Sequence, residues 1–152
     1  MYQLKRTQLL SITIQEAWDF FSSAKNLSKI TPPEMEFKIL TQLSDKPVYK
    51  GMEIEYIVRP LLGIPLKWKT LIDEVDEPNR FADKQLKGPY KIWEHIHQFE
   101  MTEKGLLMTD TVNYQLPFSF LGKIAHSLFV KQKIEQIFDF RYQTLEKMFN
   151  HK

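Results

Sequence analysis

The chain has 152 residues, 43% hydrophobic and 26% charged, a composition that excludes a disordered protein and leaves room for one domain with a real core. Its 21 Lys and Arg against 19 Asp and Glu give a net charge of +2, too small an excess for a dedicated nucleic-acid binder. There is no cysteine, which excludes disulfides, thiolate nucleophiles and thiolate metal sites; with no apolar signal core and no run of the length a membrane span needs, a soluble cytoplasmic protein is expected.

Tyr2 to Ser11 alternates loosely and reads as a first strand. Thr13 followed by Glu16 fits a capping box, and Ile14, Ala17, Trp18 and Phe21 fall on one face of the helix it would open. A second short helix, Ala24 to Ile30, is expected to stop at Thr31-Pro32-Pro33.

Strands follow. Met35 to Leu43, Met52 to Arg59, Leu66 to Val75, Phe81 to Leu86, Tyr90 to Thr102 and Leu106 to Gln115 alternate with period 2 and are joined by short turns, which predicts neighbouring antiparallel pairs. The turn Leu61-Leu62-Gly63-Ile64 is unusually apolar and reads as a cavity lid before a membrane-touching tip. Beyond Pro117, Leu121 to Phe149 reads as one helix whose apolar residues, among them Leu121, Ile124, Leu128, Ile134, Phe138, Tyr142, Leu145 and Met148, recur at three- and four-residue spacing. Such a helix is on the order of 43 Å long, and only the sheet can cover its apolar stripe. Lys123, Lys131 and Lys133 beside His126 read as part of a mixed, solvated face.

This order of elements resembles the helix-grip fold of the START-like superfamily, which includes the Bet v 1 allergens. The stretches that carry the resemblance are Asn26 to Pro33, Phe81 to Phe99 and Tyr114 to Phe118 with Leu121-Gly122, and they look most like small bacterial proteins of the polyketide cyclase/dehydrase-like branch. The resemblance covers residues 1–152 as a single ligand-binding domain. It implies an α+β fold in which a curved seven-stranded antiparallel sheet, with two short helices, grips one long C-terminal helix over a cavity. It also implies a small hydrophobic or amphipathic ligand, such as a lipid, an isoprenoid or an aromatic polyketide-like molecule. No cofactor, metal, nucleic-acid partner or stable membrane insertion is expected, and the chain is expected to be a monomer.

The residues agree with a cavity: 11 Phe, 6 Tyr and 3 Trp supply apolar wall. On the strand through Trp93-Glu94-His95-Ile96-His97, alternate residues share a face, and two large aromatics favour Trp93, His95, His97 and Phe99 inside. Phe81, Asp83 and Gln85 share a face of the preceding strand and would meet the histidines if the hairpin register across Gly88-Pro89 allows. Four readings of His95 and His97 stand: a satisfied core pair bonded to Asp83, Gln85 or Asp110, anchors for a ligand carbonyl or hydroxyl, a general acid/base, or a metal pair. Tyr56, Trp68 and Tyr114 alternate into the same interior, and Leu128 of the long helix completes the expected binding set. A cyclase- or dehydratase-type enzyme using His95 or His97 is the second functional reading. The third is a protein-interaction domain whose cavity Trp68, Trp93 and Phe138 would fill.

Overall fold

A computed structural model describes residues 1–60 and 63–151. Seven antiparallel strands form one sheet in the order β1-β7-β6-β5-β4-β3-β2. They are β1 (Tyr2–Leu10), β2 (Lys38–Ile39), β3 (Glu53–Val58), β4 (Leu66–Asp76), β5 (Arg80–Lys87), β6 (Ile92–Thr102) and β7 (Gly105–Gln115). Between β1 and β2 lie the helix α1 (Ile14–Phe21) and two 3-10 segments, Ala24–Ile30 and Pro33–Met35. After β7 come α2 (Ser119–Ala125), a π turn (His126–Val130), α3 (Lys131–Leu145) and a final π turn (Glu146–Asn150), which follow one another without a break as one long helix. The architecture is α+β and of the helix-grip kind.

Local sequence explains most boundaries. Thr13 caps α1: its side chain accepts from Glu16 N at 3.1 Å, and Glu16 Oε2 accepts from Thr13 N at 2.7 Å. Alternation is cleanest in β7, where every second residue from Leu106 to Tyr114 is buried. The expected strand Met35 to Leu43 shrinks to the two residues of β2. Pro33 opens a 3-10 turn, and Glu36 then turns the chain in the left-handed region at φ 45°, which no strand continues through.

Two register shifts, between Lys69 and Thr70 and between Ile72 and Glu74 of β4, bend the sheet where it meets β5. The long helix lies across the other half. Val130, Ile134 and Phe138 pack with Leu4, Val112 and Tyr114, while Leu145 joins Leu10, Trp18, Phe21 and Leu106 in the main core.

Of the long helix's apolar periodicity, Ile134, Phe138 and Leu145 do meet the sheet side, but the residues expected before and between them do not. The buried row is Gly122, His126, Val130, Ile134, Phe138, Arg141 and Leu145. Leu121, Ile124, Leu128, Tyr142 and Met148 are exposed. Sequence periodicity counted the bulky apolar residues, whereas the buried row includes a glycine, a histidine and an arginine. Its successive steps of four residues are kept in line by the π turn, which takes up more residues per turn than an α-helix.

Of the apolar turn, Leu61 and Leu62 lie outside the described residues; Gly63 and Ile64 are exposed, and Pro60 is buried. No helix among the described residues is long and apolar enough to cross a membrane.

Candidate functional site: a polar cluster in an aromatic cavity

Between the bent half of the sheet, the 3-10 segments and α3 lies a cavity of about 180 Å³. Its walls are largely aromatic and aliphatic. Tyr56 and Trp68 stack at 5.9 Å between ring centroids, and Trp68 meets Trp93 edge-on at 5.3 Å. Tyr90 closes the corner, 4.7 Å from Trp93, and Ile137 and Phe138 contribute from the helix. Trp68, Trp93 and Phe138 line this space and do not fill it, contrary to what the protein-interaction reading expects.

Strand register sets the polar floor. Asp83 stands opposite His95, Phe81 opposite His97, and His97 opposite Asp110. That register brings Asp83 to the histidines from one side and Asp110 from the other. Carboxylates only accept, so each imidazole donates through Nε2: His95 to Asp110 Oδ1 at 2.8 Å, His97 to Asp83 Oδ2 at 2.9 Å. In a neutral imidazole that leaves the lone pair on Nδ1. His97 Nδ1 has no hydrogen-bond partner, although Asp110 Oδ1 lies 3.5 Å away.

Arg141, reaching in from α3, completes the cluster. Its Nη2 donates to Asp110 Oδ1 at 3.3 Å, and its Nε lies 3.2 Å from Oδ2, at ion-pair distance but out of line for a hydrogen bond. Asp110 is 1% exposed and Arg141 6%, so a buried charge pair underlies the cavity floor. Burial pushes the Asp110 carboxyl up; Arg141 and the bond from His95 outweigh it and hold the group well below the usual carboxylate range. Burial, with His95 alongside, pushes His97 down to about 4 against the opposing pull of Asp83 and Asp110. His97 is therefore neutral at pH 7. Burial raises the Tyr56 and Tyr90 phenols, which stay protonated, and the Tyr56 hydroxyl lies 3.3 Å from Thr70 Oγ1.

Of the residues singled out from sequence, Tyr56, Trp68, Phe81, Asp83, Trp93, His95 and His97 line the cavity, and three do not. Gln85 is turned to Tyr90, donating to its carbonyl at 2.7 Å and accepting from its N–H at 3.0 Å, so it ties the β5–β6 turn together. Tyr114 is buried on the inner face, but its hydroxyl bonds His126 Nε2 at 2.7 Å under the first part of the long helix. Leu128 is exposed, away from the buried row. Sequence reasoning missed Arg141, whose one signal is its place three residues after Phe138 and four before Leu145. It also missed Tyr90, Thr70 and Ile137 as cavity wall.

Asp83, His95 and His97 each offer a ligand atom within 4.8 Å of the others, close enough to converge on a cation. Against this, each Nε2 is committed to a carboxylate, and the Arg141 guanidinium is bound to the shared Asp110. The arrangement is a hydrogen-bonded cluster in which Asp83, His95, His97 and Arg141 line the cavity and Asp110 ties His95 to Arg141 from behind.

The chain has the START-like fold. A START superfamily protein from Mycobacterium smegmatis superposes with a TM-score of 0.70 at 13% identity, over 98% of this chain and 97% of that one. Protein CV1439 from Chromobacterium violaceum gives 0.71 at 11% identity, over 97% and 96%. Protein TTHA0849 from Thermus thermophilus gives 0.67 at 14%, over 96% and 95%. No family model matches the sequence, and no curated protein does.

Proposed function

We propose that this chain binds one small, compact hydrophobic or amphipathic molecule in the cavity between its sheet and long helix. The observation that supports this most is an aromatic cavity whose only concentration of charge among the described residues, the Asp83–His97 and His95–Asp110–Arg141 cluster, sits on one wall. Apolar walls supply affinity and a few convergent polar groups supply orientation. Trp68 Nε1 is buried with no partner among the described residues, so a ligand carbonyl or hydroxyl that reached it would satisfy it. At about 180 Å³ the space is smaller than the roughly 300–1,000 Å³ of ordinary ligand pockets, which favours a compact ring system over a two-tailed lipid.

A second reading has one observation in its favour. Asp110 fixes His95 in the tautomer that leaves Nδ1 free, the orientation a general base requires. A cyclase- or dehydratase-type proton transfer at a carbon beside a carbonyl would use that lone pair, with Arg141 steadying the enolate oxygen.

The binding reading is tested with 8-anilinonaphthalene-1-sulfonate. Trp68 and Trp93 line the cavity, so saturable one-to-one uptake should quench tryptophan emission, and Ile137→Trp, which fills the space, should abolish uptake at unchanged helicity. Equal uptake by that variant would place binding elsewhere and sink the reading.

A further inference from the structure

The first turns of the long helix carry the largest exposed apolar surface among the described residues. Phe118, Phe120, Leu121, Ile124, Leu128 and Phe129 are each between 42% and 80% exposed. Together they present on the order of several hundred Å² of apolar surface, at the level where a patch marks an interaction site. Steps of four residues, with the π turn, lay this stretch out as four parallel rows. Gly122, His126 and Val130 face the sheet. Lys123, Ser127 and Lys131 run beside them. Phe120, Ile124 and Leu128 come next, and Leu121 and Phe129 complete the circuit.

Charge here has one sign. From Thr111 to Ile134 there is no acidic residue, and Lys123, Lys131 and Lys133 fall in that stretch. The Lys131 end opens on a groove of about 610 Å³ whose far side carries Lys5 and Arg6 of β1, Arg6 being paired with Asp139 at 2.8 Å, with Tyr2, His126 and Glu135 also in its wall. The ridge is also held out at a cost. Phe118 and Ser119 both take left-handed backbone, φ 65° and 40°, a conformation non-glycine residues adopt only when the surrounding structure imposes it.

We propose that this ridge is a peripheral docking surface for an anionic lipid bilayer. The apolar rows would seat at the headgroup boundary, while Lys123 and Lys131, with Lys5 across the groove from Lys131, would meet the phosphates. An amphipathic helix with aromatics on one face and lysines on its flank has the chemistry of an interfacial helix. A second copy of the chain is the poorer partner, because a two-fold contact over this ridge would bring like-charged lysine rows together with no acidic row to answer them. The inference rests on the surface alone and is independent of what occupies the cavity.

Co-sedimentation of the full chain with vesicles tests it. Phosphatidylcholine vesicles containing phosphatidylglycerol should retain the protein at low salt and release it at high salt, and pure phosphatidylcholine should retain it on the order of tenfold less. Phe120→Ser with Leu128→Ser, and separately Lys123→Glu with Lys131→Glu, should each lower retention about tenfold or more without moving the thermal midpoint, since all four residues are exposed. No retention, equal retention by both vesicle types, or retention unchanged in either variant would overturn the proposal. So would a dimer in solution that Phe120→Ser with Leu128→Ser dissociates, which would make the ridge a contact between copies.

Discussion

Asp110 accepts the Nε2–H of His95 at 2.8 Å from behind the cavity wall, so a residue that does not itself line the cavity orients an imidazole that does. The same carboxylate holds Arg141, with Nε 3.2 Å from Oδ2. One buried aspartate thus orients both His95 and Arg141.

Asp110→Asn should therefore be severely destabilising. The amide cannot balance the guanidinium, and an uncompensated buried charge costs roughly 3–5 kcal/mol. Adding Arg141→Met should recover part of that loss, because the orphaned charge is gone. Urea unfolding midpoints of the two singles and the double check this. Strictly additive losses would show that the two residues are not coupled.

Stability should fall as the solution is acidified below neutrality. His97 takes up a proton near 6.5 when unfolded but only near about 4 when folded. Between those values the unfolded chain binds more protons, so its contribution to stability is whole above about 6.5 and is lost as pH drops towards about 4. His126, also lowered by burial, adds the same sign. Thermal midpoints across that range should decline less steeply in His97→Gln than in the parent; parallel curves would remove His97 from the account.

Gly122→Ala should disrupt the start of the long helix. A Cβ there would overlap the Pro117 carbonyl oxygen and stand 3.2 Å from Leu116 Cβ, and a backbone oxygen cannot swing aside as a side chain can. Overpacking of this kind costs about 1–3 kcal/mol. The thermal midpoint measures it, and an unchanged midpoint would mean that the approach to the helix is slack.

The outline of the fold was legible because period-2 alternation and turn residues mark β3 to β7 within a residue or two, and the Thr13–Glu16 box marks α1. The inward set Trp93, His95, His97 and Phe99 was legible from alternation as well. What alternation could not give was register. Only the observed pairing shows that Asp83 reaches His97 while Gln85 turns away to Tyr90. The long helix was legible as a helix, with Ile134, Phe138 and Leu145 inward, but the rest of its buried side was not. Its buried row contains Gly122, His126 and Arg141, each justified by a tertiary partner or a close approach that no periodicity reports, while Leu121, Ile124 and Leu128 stand outside.

Trp68→Phe should cost little stability, since the loss of indole packing is partly offset by removing a buried N–H that has no partner among the described residues. It should weaken binding of a ligand that carries a carbonyl or hydroxyl more than binding of its hydrocarbon analogue. Paired titrations of such ligands check this, and equal losses for both would mean the indole N–H plays no part in orientation.

The most direct test of the central claim is native mass spectrometry of freshly purified protein, followed by solvent extraction and identification of whatever is bound. The account expects one compact apolar or amphipathic molecule per chain, lost in Ile137→Trp. A bare chain mass, together with no saturable uptake of 8-anilinonaphthalene-1-sulfonate by the parent protein, would contradict it.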